Sequence, residues 1–215
     1  MIKWQAISFY TIGTGYEHEV LNLIASCDRL RIPIKAYPVP PVGNWRANLD
    51  WKSTIIRQAM DDFPDKDIVF MDADAVVRSW PALFDELSEK REHDLAVLFY
   101  KNSRIEPNEL VSGTLWFANS AKSREIVEAW DSYARKHHEI RHQKALDIVI
   151  HRIIPTARAF GLPDAYTRIF DAPGQRGVIP IIEHFQASRR FRRKIIPIVA
   201  PSGGPFSMAQ GRRFK

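Results

Sequence analysis

The sequence predicts a single α/β domain, Rossmann-like, with a mostly parallel central sheet flanked by helices. Three observations predict it. Over the first hundred residues the apolar pattern alternates between strand and helix spacing, the order that places a parallel sheet between helical layers. Ile68-Val69-Phe70-Met71 is apolar without interruption, as suits a strand covered on both faces. Finally, 215 residues suffice for one sizeable core and are few for two.

The elements follow in order. Ile2 to Thr11 mixes alternation with β-branched and aromatic residues, a first strand closed by the turn Gly13-Thr14-Gly15. Val20, Ile24, Cys27 and Leu30 recur at helical spacing. Ile34 to Val39 is a second strand, ended by Pro38, Pro40, Pro41 and Gly43, and Asp50 to Met60 is helical through Trp51, Ile55, Ile56 and Met60. Asp67 to Met71 is the third strand. Pro81 opens a short helix with Leu83, Phe84 and Leu87 toward the core. Leu95 to Tyr100 and Thr114 to Ala118 are further strands. Ile126, Val127, Trp130, Tyr133 and Ala134 mark an amphipathic helix between Ser120 and His138. A helix from about His142 to Ile154 follows, stopped before Pro155. The last third is richer in Pro and Gly, and Ser202-Gly203-Gly204-Pro205 marks a loose end. The expected division is a domain over 1–190 and a basic C-terminal tail over 191–215.

Composition narrows the class. With 45% hydrophobic and 26% charged residues the chain is in the ordinary globular range. No apolar stretch approaches the roughly 20 residues that span a bilayer, and Met1 to Ala6 lacks the pattern of a signal peptide. Cys27 is the only cysteine, so no intrachain disulfide forms; the expected location is the cytoplasm, with a peripheral membrane role left open. The net charge of +6 is local. Arg189, Arg190, Arg192, Arg193, Lys194, Arg212, Arg213 and Lys215 stand in a segment without Asp or Glu. The other 23 basic residues face 25 acidic ones, so the rest of the chain is net −2. Such a cluster fits a phosphate or polyanion contact, and equally a solvated tail.

The chemistry centres on Asp72-Ala73-Asp74. Ligands of parallel α/β sheets bind beyond the carboxyl ends of the strands, where this run falls. Two carboxylates at i and i+2 of extended backbone project to one side, and the small Ala73 lets a ligand approach. A divalent ion held by one or two carboxylates completes its shell with water and substrate phosphates, which suits the departure of a nucleoside diphosphate. A polar turn explains the same string. Asp72-Ala73-Asp74-Ala75-Val76 also fits a haloacid dehalogenase-like, Mg-dependent phosphatase. That motif closes a first strand, however, and here two strand–helix units precede it.

With these residues in view, the chain resembles the GT-A-fold glycosyltransferases of the nucleotide-diphospho-sugar transferase superfamily, near the family 8-like enzymes. The resemblance rests on Ser8, Tyr10 and Thr11 ending the first strand, on Trp51-Lys52 and Ile68 to Val77, on Ser112 to Asn119 with the later His142 to Leu146, and on Val178 to Phe185. It implies a Mn²⁺- or Mg²⁺-dependent transfer of a sugar, with retention, from a nucleoside-diphosphate sugar, with a UDP-sugar as the expected donor. It implies Asp72, Asp74 and His184 as metal ligands, and an imidazole ligand favours Mn²⁺. Tyr10 and Thr11 would contact the nucleotide, Lys52 and Arg189 the phosphates, and Asp72 the ribose as well. Gly113 would leave room for the donor sugar or the acceptor. His142-Gln143 replaces the Asp-Gln of relatives, with Gln143 beside the reacting sugar carbon and His142 on the donor sugar, where the Asp of relatives meets its hydroxyls. No catalytic base is identified. The acceptor is open among a glycan, a lipid-linked sugar on an anionic membrane, and DNA gripped by the basic tail. A pure nucleic-acid-binding module is disfavoured, because no helix-turn-helix, zinc or aromatic RNA signature is present.

Overall fold

The computed structural model describes residues 1–42, 48, 50–101 and 108–191. Gly43 and the tail from Arg192 to Lys215 lie outside the described residues.

The main sheet has six strands: β1 (Trp4–Thr11), β2 (Ile34–Val39), β3 (Asp67–Met71), β5 (Leu95–Tyr100), β6 (Glu109–Phe117) and β7 (Ala159–Gly161), in the order β2-β1-β3-β6-β5-β7. β2, β1 and β3 pair parallel, as do β5 and β7, while β6 runs against both β3 and β5. Five strands therefore point one way and β6 alone is reversed. A second sheet joins β4 (Ala75–Val77), β8 (Arg168–Ile169) and β9 (Ile182–His184) in the order β4-β9-β8. It stands at the carboxyl end of β3, and this placement builds the site.

Helices cover both faces. α1 (Tyr16–Arg29) and α3 (Ala82–Lys90) belong to one side; α2 (Trp51–Asp62), α4 (Ala121–Lys136) and α5 (His142–Ile148) belong to the other. β3 explains why its sequence is apolar throughout. Ile68 and Phe70 enter the core with Ile56, Met60, Trp130 and Leu146, whereas Val69 and Met71 enter the opposite core with Leu23, Phe84 and Trp116. α4 begins where the Ser120 side chain accepts the Ser123 N–H, a cap that fixes its first turn. The helix expected from His142 to Ile154 is α-helical only to Ile148 and continues as a π-helical turn over Val149–Ile153. A four-residue helix, α6 (Ser188–Phe191), ends the described chain. No helix among the described residues is long and apolar enough to cross a membrane.

Candidate functional site

The site forms where β3 gives out. The Asp72 N–H donates to the Gly113 carbonyl of β6 (2.9 Å), and the Ala75 N–H returns to the Asp72 carbonyl (2.9 Å). The Asp-Ala-Asp run is therefore a tight turn between β3 and β4 rather than extended backbone, and the reversal is what turns both carboxylates toward one point. Ala73 is buried at its apex. His184 arrives from β9, in register with Ala75. One ligand atom each from Asp72, Asp74 and His184 lie within 4.8 Å of one another.

His184 is held closely. It is 2% exposed. Its Nε2 is 2.9 Å from Thr114 Oγ1, and its Nδ1 is 3.7 Å from Asp74 Oδ1. With the hydroxyl on Nε2, the nitrogen facing Asp74 is Nδ1, the arrangement that orients an imidazole for a metal. The ring lies against Gly113, where a Cβ would sit 3.1 to 3.4 Å from three of its atoms. The room that Gly113 leaves is therefore filled by His184, which corrects the expectation of space for a sugar or an acceptor.

A bulge in β6 makes this possible. Val97 pairs with Leu115, but the next residue of β5, Leu98, pairs with Val111, so Ser112 to Thr114 swing away from β5. Each of the three then serves the site. Ser112 receives Lys52, Gly113 takes the Asp72 N–H and the imidazole, and Thr114 bonds His184.

Lys52 is buried beneath the turn. Its ammonium is 2.8 Å from Asp72 Oδ1, 2.9 Å from the Ser112 carbonyl and 3.3 Å from Ser112 Oγ, with the Phe70 ring below it. Its three protons thus have acceptors inside the protein. In this geometry it is the counter-ion of Asp72. Burial by itself would raise the Asp74 carboxyl, but His184, the Ala187 N–H (2.7 Å) and Lys52 hold it below the usual range. The Asp72 side chain keeps 39% of its surface in solvent, yet the protein crowded around it pushes its carboxyl upward, opposed by Lys52 and aided by the charge of Asp74. The two carboxylates are thus unlike: Asp74 is a firm anion, and Asp72 depends on a cation beside it.

The other expected residues are placed as follows. Thr11 is buried and Tyr10 half-buried at the end of β1. His142 is buried against Trp130, with ring centroids 4.2 Å apart, and neither ring nitrogen has a hydrogen-bond partner. Burial first, then the charge of Lys52, drive its pKa well below the ordinary value, so the imidazole is neutral. It does not cap α5 through its side chain. Gln143 Nε2 donates to Glu109 Oε1 (2.6 Å), which also accepts from Arg141 (3.0 Å). Arg189 pairs with Asp171, and Arg190 with Glu19. Both arginines border a cleft of about 710 Å³ that Asp74, Phe170 and Phe185 also line. Burial pushes the Cys27 thiol up to about 12, with Asp28 adding to it, so this cysteine is no nucleophile. Thr114 and Glu109 were not marked by the sequence: single polar residues in a strand carry no spacing that distinguishes them.

No protein-family model matches the sequence, and no curated protein matches it. The fold, however, is similar to that of solved proteins. A glycosyltransferase involved in the glycosylation of the major capsid of PBCV-1 matches with a TM-score of 0.65 at 16% identity, over 88% of this chain and 97% of that one. The glycosyltransferase GlyE of Streptococcus pneumoniae TIGR4 gives 0.57 at 15%, over 86% of this chain, which spans only 55% of GlyE. Mouse xyloside xylosyltransferase 1 gives 0.55 at 9%, over 86% and 98%. These likenesses establish the α/β architecture with its mostly parallel sheet.

Proposed function

We propose that this protein is a metal-dependent glycosyltransferase that moves a sugar from a nucleoside-diphosphate sugar to an acceptor. The observation that carries the reading is the convergence of Asp72, Asp74 and His184 at the carboxyl end of β3, in a fold whose solved neighbours are described as glycosyltransferases.

The residues fit a divalent ion. Two carboxylates and an imidazole suit Mn²⁺ or Mg²⁺, and Lys52 occupies only one oxygen of Asp72. Asp72, Asp74 and His184 would hold the ion, which when bound supplies charge neutralisation to a departing diphosphate. The chain's own contributions surround it. Lys52 opposes the upward shift that burial imposes on Asp72 and holds its carboxylate in place. Thr114 orients the imidazole. Tyr10 and Thr11, at the end of β1, are assigned to the nucleotide, and Arg189, on the cleft shared with Asp74, to the phosphates or the acceptor. Gln143 is assigned to the reacting sugar carbon. Transfer with retention from a UDP-sugar belongs to the same reading, while the acceptor stays unspecified among glycan, lipid-linked sugar and DNA. Activity toward duplex DNA that falls steeply with salt would single out DNA. A phosphatase attacking through Asp72 is the weaker reading, because one of its oxygens is tied to Lys52 and the fold's neighbours belong to another class.

Thermal-shift measurements with UDP and with GDP, each with and without Mn²⁺, test the proposal. A ligand that binds only the folded state raises apparent stability. Stabilisation by a nucleoside diphosphate that requires Mn²⁺ and vanishes in Asp74→Ala is the expected result. Stabilisation indifferent to metal, together with hydrolysis of p-nitrophenyl phosphate, would overturn it in favour of the phosphatase.

A further inference from the structure

Glu109 is a buried carboxylate that the proposed chemistry does not yet use. It begins β6, just beyond the bulge at Ser112 to Thr114 and opposite Tyr100, the last residue of β5, and is 7% exposed. Its Oε1 receives Arg141 Nη1 at 3.0 Å and Gln143 Nε2 at 2.6 Å. Both bonds fall on one oxygen of the carboxylate, with the guanidinium standing against it. An oxygen that faces two N–H donors serves both as an acceptor. The Gln143 amide must therefore turn its NH₂ toward Glu109 and its carbonyl Oε1 away from it.

We propose that Glu109 is a positioning residue that dictates which end of the Gln143 amide faces the substrate. This rests on the assignment of Gln143 to the reacting sugar carbon. As the bond from that carbon to the diphosphate oxygen breaks, its electron pair leaves with the diphosphate and positive charge grows on the carbon and its ring oxygen. That charge lasts until the hydroxyl oxygen of the acceptor, or of water, bonds to the carbon and gives its proton to the departing diphosphate. An amide oxygen stabilises that charge, whereas an amide NH₂ in the same place would oppose it. A charge-assisted bond on Nε2 also polarises the amide and makes Oε1 more negative. Arg141 supports the arrangement by holding the carboxylate.

Glu109→Gln keeps the shape and removes the dictation, because a neutral amide can donate or accept. The first readout is the ¹H–¹⁵N resonance pair of the Gln143 side chain, identified by its loss in Gln143→Ala; it should shift in Glu109→Gln. The second is nucleoside-diphosphate release from UDP-glucose, UDP-galactose and GDP-mannose with Mn²⁺. We expect kcat to fall 10- to 100-fold in Glu109→Gln with KM changed less than threefold, and Glu109→Asp to recover part of the loss. In the double variant with Gln143→Ala, Glu109→Gln should add nothing further, since the two act as one unit. An unmoved resonance, an unchanged kcat, or fully additive losses would each overturn the inference. A wild-type kcat in Gln143→Ala would instead sink the donor-facing assignment of Gln143. Turnover of none of the three donors would count against the transferase reading, with the resonance still deciding the amide's orientation.

Discussion

Gly113 lacks a side chain where the His184 ring lies, and this single absence joins the two sheets at the site. Its backbone is not in the left-handed region, so alanine there carries no conformational penalty. In Gly113→Ala the added methyl must instead displace an imidazole pinned by Thr114 and Asp74. Metal affinity should fall about 10- to 100-fold, as when a ligand's orienting partner is lost, with little change in metal-free stability. Mn²⁺ titration followed by electron paramagnetic resonance checks this; an unchanged dissociation constant would mean that His184 is not a ligand. His142 makes a second residue-level prediction. Its pKa is depressed in the folded chain from an ordinary value of 6.5, so unfolding takes up a proton below that pH. The stability that goes with the neutral imidazole is present above pH 6.5 and is lost as pH falls toward the folded-state pKa, at up to about 1.4 kcal/mol per pH unit. Melting temperatures from pH 8 to pH 5 should therefore fall more steeply for the wild type than for His142→Gln. Parallel curves would contradict the burial of a neutral ring.

Among the elements, the end of β6 fastens two layers. The two protons of Asn119 Nδ2 are shared among the carbonyls of Met60 (3.1 Å), Phe63 (2.9 Å) and Pro64 (3.2 Å), the residues that end α2 and follow it. The helix supplies these carbonyls no partner, and besides Asn119 the Met60 carbonyl accepts from Arg124 (2.8 Å) and the Phe63 carbonyl from the Lys66 N–H (3.0 Å). Asn119→Ala should cost about 1–2 kcal/mol, a fall of about 2–8 °C in Tm for a chain of this size; calorimetry measures it, and no change would mean that water replaces the amide. The same scale shows what the sequence disclosed. β1, β2, β3, α1, α2 and α4 were legible because each repeats its period long enough to be read, and β3 also because both of its faces are buried. β4, β8 and β9 hold two or three residues each, too few to show alternation, and they form only because the turn at Asp72 delivers β4 to β9. The first half of β6, before its bulge, was missed for a related reason: the bulge breaks the alternation between Val111 and Leu115. The carboxylates were legible as residue types. Their meeting with His184 came from the resemblance, and Thr114 and Glu109 were hidden because their partners lie at least 32 positions away in sequence.

At the scale of the molecule, the end of the described chain closes back on its beginning. Phe191 in α6 lies edge-on to Tyr16, with ring centroids 5.0 Å apart, and occupies the space above Gly15, where a Cβ would come within 2.3 Å of its ring. Arg190, beside it, reaches Glu19 of α1, and Arg189 reaches Asp171. The ion pairs involve largely exposed arginines, and such pairs contribute about 0–1 kcal/mol each. The aromatic contact, at about 0.5–1.5 kcal/mol beyond the area it buries, is then what decides whether α6 stays docked. Gly15 tests this cleanly. Its φ of −60° is an ordinary helical value, so valine there strains no backbone and acts only by evicting the Phe191 ring. Loss of about 1.4 kcal/mol of docking would raise the undocked population tenfold, and proteolysis of a segment that opens quickly follows that population. Trypsin should therefore cut after Arg189 and Arg190 about ten times faster in Gly15→Val than in the wild type, while the global Tm moves by less than about 3 °C. Equal cleavage rates would show that the ion pairs hold α6 without the ring, and a large fall in Tm would show that this contact supports the core as a whole.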